Sequence, residues 1–173
     1  TLVMLAGDNG SSFPPDSALG KRFDQAANGL RGYKRELYEG GLRTPLIIRY
    51  PGRLASRVIS EPVVLGDLVP TICALAKVAA PKTLDFQDIS PLLFDSKPPA
   101  DAAKRPLFWH QPHYMNQGGR PGGVIREGDW KLIEQYEDGS LELYDLAKDV
   151  RDAQNELDRA AEALERVQRE LAA

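Results

Sequence analysis

The sequence predicts an α/β fold that turns α+β toward its C-terminal end, and three features predict it. Residues 1–6 are a continuous apolar run, residues 67–78 repeat apolar side chains at helical spacing, and residues 107–146 break into short strand-like runs. A second helical stripe follows at residues 153–171, so strands followed by a closing helix suggest a small antiparallel sheet packed by that helix.

Residues 1–6 have the run of a strand buried on both faces, which is typical of a parallel sheet. Chain ends normally lie at the surface. A strand of this kind therefore needs partners from a missing N-terminal portion of a larger protein, from a second copy in a homo-oligomer, or from rearrangement. It ends in Gly7-Asp8-Asn9-Gly10. Residues 11–33 carry no apolar period and are expected to form a long loop, a length usually reserved for function or disorder. Tyr38-Glu39-Gly40-Gly41 follows, and then a second short strand in Pro45-Leu46-Ile47-Ile48-Arg49-Tyr50, stopped by Pro51-Gly52.

The helix at residues 67–78 places Leu68, Ile72, Leu75 and Ala76 on one face. Pro70 is tolerated in its first turn, with Asp67 as the expected cap. A proline-rich connector with a short apolar piece at residues 89–94 comes next. Strands are expected at residues 107–110, 123–126, 130–136 and 141–146, the last three separated by Glu127-Gly128-Asp129 and Glu137-Asp138-Gly139-Ser140, which suit hairpin turns. Leu157, Leu164, Val167 and Leu171 form the stripe of the closing helix. The expected organisation is an edge of a larger α/β core at residues 1–80, a connector at 81–105, and an antiparallel-sheet subdomain at 106–173.

Composition excludes several functions. The chain has 173 residues, 22 basic against 25 acidic, for a net charge of −3, and no basic stripe suggests a nucleic-acid partner. No apolar run approaches the roughly 20 residues needed to cross a bilayer, so no membrane partner is expected. The single cysteine, Cys73, cannot form an internal disulfide and is too little for a zinc knuckle; a small buried hydrophobe is the expected role. The opening Thr1-Leu2-Val3-Met4-Leu5 is not a signal peptide by its pattern.

Chemistry concentrates in three places. Asp8 and Asn9 stand at the C-terminal end of the first strand, the edge where open α/β sheets bind ligands. A carboxylate beside a carboxamide suits Ca²⁺ or Mg²⁺, although Asn-Gly is equally a turn dipeptide. Residues 34–43 combine Lys34, Arg35 and Arg43 with a paired glycine. Lysine and arginine clamp oxyanions such as sulfate or phosphate, and glycines admit close backbone approach; a solvated charged turn has the same composition. His110 and His113, the only histidines, could contact substrate or work as a general acid, or be satisfied loop residues. Trp109, Trp130 and Tyr144 alternate with polar residues on strands, as core residues do.

The order of these signals resembles the sulfatase family. Asp8-Asn9-Gly10 is followed by Lys34, then Tyr38-Glu39-Gly40-Gly41-Leu42-Arg43-Thr44-Pro45, then Tyr50-Pro51-Gly52 and Asp67-Leu68-Val69-Pro70-Thr71. The similarity continues through Ile125-Arg126-Glu127-Gly128-Asp129-Trp130-Lys131-Leu132-Ile133 and Glu142-Leu143-Tyr144-Asp145-Leu146. It implies the C-terminal portion of an arylsulfatase-like hydrolase of the alkaline-phosphatase-like superfamily, acting on sulfate esters, carbohydrate sulfates among them. It further implies that Asp8 and Asn9 ligate a divalent cation, usually calcium, and that Lys34 contacts the sulfate. By this resemblance Arg43, His110 and His113 are substrate-side candidates, with Tyr114 and Arg120 in the loop over the pocket, and the location is periplasmic or extracellular in a bacterium.

One departure matters. The family's nucleophile is a formylglycine made within Cys/Ser-x-Pro-x-Arg, upstream of the Asp-Asn pair. Cys73-Ala74-Leu75 does not fit, and Ser12-Phe13-Pro14-Pro15-Asp16 ends in Asp and lies on the wrong side of Asp8. The chain alone is therefore expected to be inactive and to hold a cation weakly. The other readings are a phosphodiesterase or phosphonate hydrolase of the same superfamily, and a non-catalytic sulfated-glycan-binding or oligomerisation module.

Overall fold

The apolar run at the start of the chain forms strand β1 (Val3–Ala6), which pairs with β2 (Leu46–Arg49). The pairing is antiparallel, Val3 opposite Arg49 through Ala6 opposite Leu46. The antiparallel direction corrects the expectation of a parallel pairing; within this chain Leu5 is 63% and Ile47 58% exposed. Leu5 and Ile47 face each other across the pair, so with Val3 they make one exposed apolar face, whereas Met4, Leu46 and Ile48 on the other face are half-buried.

The computed structural model describes residues 1–14, 16–22, 29–95, 104–116 and 118–150; the helix expected at residues 153–171 lies outside them. Two compact units are interleaved in sequence. One comprises Thr1–Asp8 with Pro45–Arg105, the other Asn9–Thr44 with the described residues from Pro106 on. The helices are short: α1 (Ala18–Arg22) and α2 (Glu39–Leu42) in the second unit, α3 (Leu68–Ala76) and α4 (Ser90–Phe94) in the first.

In the first unit, a 3-10 turn (Leu65–Asp67) runs into α3. The inward face of this helix is not the apolar stripe. Pro70 and Thr71 are buried, whereas Ile72 is 48% exposed. Polar bonding explains the rotation. Asp67 is fully buried and receives Arg105 Nη1 at 2.9 Å on Oδ1, with the second guanidinium nitrogen on Oδ2. Its oxygens also accept the backbone N–H of Gln87 and of Val64, each at 3.0 Å, so it serves the preceding turn rather than capping the helix with its side chain. Thr71 Oγ1 donates to the Asp67 carbonyl at 2.6 Å and accepts the Ile89 N–H at 2.9 Å. Helix α4 matches the apolar piece seen in the connector sequence. Cys73 is half-buried and its thiol is free.

The Asp67 carboxyl has a pH consequence. Burial pushes its pKa up, but the bonds from Arg105, Gln87 and Val64 outweigh burial and hold it below the usual 3.8. The unfolded chain therefore takes up this proton first as pH falls. The stabilisation is fully present above the unfolded value and is lost as pH falls through the folded one. Urea midpoints between pH 6 and pH 2.5 should fall below about pH 4, and Asp67→Asn should flatten that part of the profile while lowering stability throughout.

The second unit is built on an antiparallel meander, β3 (Leu107–Gln111), β4 (Gly122–Glu127), β5 (Trp130–Gln135) and β6 (Leu141–Asp145), in that spatial order. These strands match the sequence expectation to within a residue or two. The β4–β5 and β5–β6 turns carry Gly128 (φ 59°) and Gly139 (φ 69°), left-handed positions that glycine enters without a Cβ penalty. Alternation along the strands turns Val124, Ile133 and Tyr144 to one face, where they form a core with Leu37 and Leu146. Tyr38, Leu42 and Trp109 pack against it, whereas Trp130 is exposed rather than core. Residues 16–22, expected to be loop, contain α1, capped by Ser17, whose Oγ accepts the Gly20 N–H at 2.8 Å. Helix α2 is a single turn built from the paired glycines.

Candidate functional site

The paired glycines decide the local geometry around Lys34. A Cβ on Gly40 would stand 2.2 Å from the Gly32 carbonyl oxygen, and one on Gly41 would stand 2.1 Å from that of Glu36. A Cβ on Gly10 would meet the Gly40 oxygen at 1.9 Å. Three backbone segments thus meet at a distance only glycine permits. Hydrogen bonds stitch them together: Gly10 N to Gly41 O at 3.1 Å, Gly40 N to Arg31 O at 2.7 Å, and Lys34 N to Ser11 O at 2.7 Å. The chain leaving Asn9 is therefore tied directly to the segment that carries Lys34.

Lys34 occupies the first central position of a tight turn closed by Glu36 N to Tyr33 O at 2.9 Å. Arg35 takes the second central position with φ 83°. A type II turn requires positive φ there, and glycine is the usual occupant. Holding a side-chain-bearing residue in that region costs about 1–3 kcal/mol. The turn is braced by the Glu36 carboxylate, which accepts the Tyr33 N–H at 3.2 Å. It is also braced from β3: Gln111 Nε2 donates to the Arg35 carbonyl at 3.2 Å and to the Arg120 carbonyl at 2.8 Å.

Two charged networks fix this region to the sheet. Glu39 and Lys131 are both buried, Lys131 only 1% exposed, and their charges meet at 3.1 Å. Arg126 Nη1 lies 3.7 Å from the other Glu39 oxygen. In the second network, the Arg31 guanidinium lies 3.7 Å from the Tyr38 ring centroid and donates to Tyr38 Oη at 3.0 Å and Tyr144 Oη at 2.9 Å. Both tyrosines donate in turn to Glu142, Tyr38 at 2.9 Å. Burial and the bond to Glu142 push the Tyr38 hydroxyl up to about 12, and raise Tyr144 by the same causes. Burial pushes the Glu142 carboxyl up, but the bonds from Tyr144, Tyr38 and Gln135 and the Arg31 charge hold it below its ordinary value. Both networks tie the Lys34 region to the sheet.

The other candidates are placed separately. Asp8 is exposed at the end of the first unit's opening segment, while half-buried Asn9 begins the second unit. Arg43 is exposed just past α2, its N–H bonded to the Glu39 carbonyl at 2.8 Å. His110, on β3, is engaged with Tyr136 through Nδ1 and Oη at 2.9 Å. His113 is exposed in the loop that follows β3. In that loop Tyr114 Oη donates to Glu137 at 2.6 Å, and Arg120 pairs with Glu137 at 3.3 Å. Among the described residues no three His, Cys, Asp or Glu side chains gather closely enough to hold a metal ion. The Asp8–Asn9 donors fit a hard divalent cation chemically, yet supply only part of the six to eight oxygens Ca²⁺ prefers.

Sequence reasoning missed Gln111 and the Glu39–Lys131 pair. The second left a trace: Lys131, Ile133 and Gln135 share one phase of β5, so a lysine stood where the alternation demanded a buried residue.

Known proteins share this region. Residues 31–173 match the family described as N-sulphoglucosamine sulphohydrolase, C-terminal. A sulfatase of Formosa agariphila is 34% identical over 166 residues, covering 90% of this chain and 28% of that protein. A solved structure in complex with its substrate D-glucosamine-2-N,6-O-disulfate shares 27% identity at TM-score 0.70, covering 96% of this chain and 32% of that one. The phosphonate monoester hydrolase of Agrobacterium radiobacter shares 25% identity at TM-score 0.55, over 82% of this chain and 30% of its own. The chain spans about a third or less of the length of these relatives.

Proposed function

From the premise that this chain belongs to the sulfatase family and corresponds to its C-terminal portion, we propose that the whole protein hydrolyses sulfate esters of amino sugars. The family match over residues 31–173 and the sulfated-glucosamine ligand of a structural relative support this substrate class. Lys34 is the residue assigned to the sulfate group, and the observation that carries the reading is its position at the apex of a braced turn.

A sulfate ester spreads negative charge over its terminal oxygens, and charge grows on the bridging oxygen as the S–O bond breaks. An ammonium presented from a fixed turn can reach and stabilise that charge. Arg43, His110 and His113 are exposed, with charge or hydrogen-bonding capacity to orient the sugar, and His110 is held by Tyr136 through Nδ1. Asp8 and Asn9 would hold a divalent cation, Ca²⁺ or Mg²⁺, which when bound neutralises sulfate charge. The formylglycine nucleophile belongs to a segment outside this sequence, so the 173-residue chain alone is inactive. Export to a bacterial periplasm or cell exterior is part of the same proposal.

Calorimetric titration of the isolated chain with CaCl₂ should give an affinity no tighter than about 10⁻⁴ M, because Asp8 and Asn9 are a partial ligand set. Micromolar binding would mean that the chain holds a complete site. A second reading, phosphonate monoester hydrolysis, has the likeness to the Agrobacterium radiobacter enzyme in its favour. Comparing turnover of 4-nitrophenyl sulfate with that of a phenylphosphonate monoester by the whole protein separates the two.

A further inference from the structure

Resting on the reading of Lys34 as the sulfate contact, we propose that Gln111 is a positioning residue for Lys34, acting through the backbone of Arg35. The turn that carries Lys34 is held in a conformation its own sequence disfavours, since Arg35 adopts φ 83° where glycine is at ease. A strained turn persists only where its surroundings over-determine it. Here the surroundings are specific. Gln111 uses one side-chain amide to hold two carbonyls, that of Arg35 at 3.2 Å and that of Arg120, at the far end of the loop between β3 and β4, at 2.8 Å.

The same loop closes on the turn at two more points. A Cβ on Gly119 would stand 2.3 Å from the Arg35 oxygen, and one on Gly118 would stand 3.0 Å from Tyr33 Oη. The residues on both sides of Lys34 are thus touched by one loop, and that loop carries His113, Tyr114 and Arg120. Gln111 links the lysine turn to the loop bearing substrate-side candidates. Without the amide, one of the bonds that hold Arg35 at positive φ is lost, so the peptide joining Lys34 to Arg35 can rotate and the backbone that presents Lys34 loosens.

The test uses the full-length protein with 4-nitrophenyl sulfate, in four variants: Lys34→Ala, Gln111→Ala, the double variant Lys34→Ala/Gln111→Ala, and Gln111→Ala/Arg35→Gly. Gln111→Ala should lower kcat about tenfold to a hundredfold with KM within about threefold, the size expected of a misplaced group. In the Lys34→Ala background the same change should cost almost nothing further, because the group it positions is gone. Arg35→Gly should restore most of the loss, since glycine holds positive φ without a clamp. Equal losses from Gln111→Ala in both backgrounds, or no recovery with Arg35→Gly, would show a merely structural glutamine and overturn the proposal. A silent Lys34→Ala would instead overturn the sulfate-contact reading, and the Gln111 role with it.

Discussion

Lys34→Ala in the full-length protein lowers kcat for sulfate-ester hydrolysis about 10²- to 10³-fold, the loss expected when one preorganised charge partner is removed from a developing anion. Folding should not confound the result. The bond that ties this residue to the chain leaving Asn9 runs from its backbone N–H to the Ser11 carbonyl, and alanine keeps it. Unfolding free energies of the variant and the parent from urea denaturation should therefore agree within about 0.5 kcal/mol, as for substitutions away from buried features. Lys34→Arg restores charge without the point geometry of an ammonium, so it should recover only part of the activity. A tenfold or smaller loss with Lys34→Ala would remove this residue from the sulfate site.

Glu39→Ala is the largest expected stability effect. It leaves the Lys131 ammonium, 1% exposed, facing a space from which its partner at 3.1 Å has gone. Breaking a buried ion pair from one side costs about 3–5 kcal/mol, a large part of the roughly 5–15 kcal/mol that holds a typical domain together. Removing both charges should cost far less, because apolar groups of similar volume replace a buried pair with little net change. Glu39→Leu/Lys131→Met should therefore recover most of the stability lost by the single variant, read from urea midpoints. A single-variant loss under about 1 kcal/mol would mean that the pair does not carry the weight its burial implies.

Much of the fold was legible in the sequence because local rules and tertiary context agree. The four strands of the meander alternate with turn residues that their hairpins require, at Gly128 and Gly139. The first strand was legible as a strand but not in its pairing, since an apolar run on both faces specifies burial and says nothing about direction. Hydrophobic period alone predicts the wrong inward face for α3. A buried Asp67–Arg105 pair and Thr71, which bonds to Ile89 far along the chain, turn the helix the other way.

The candidate site shows the same division. The use of Gly40 and Gly41 for close backbone approach could be foreseen, and the clashes a Cβ would meet bear that out. Arg35 gave no warning, because nothing in Lys-Arg-Glu marks a residue held at positive φ. Gln111 was equally silent: its role depends on two carbonyls, at Arg35 and Arg120, that only the folded chain brings to it.

We propose that this sequence is part of an enzyme that cleaves sulfate esters with the help of Lys34. Inorganic sulfate released from glucosamine 6-sulfate by the full-length protein, with and without Lys34→Ala, tests it most directly. The expected result is steady sulfate release by the parent and a loss of about a hundredfold or more in the variant. No sulfate release by the matured parent, or equal release by the two proteins, would contradict it.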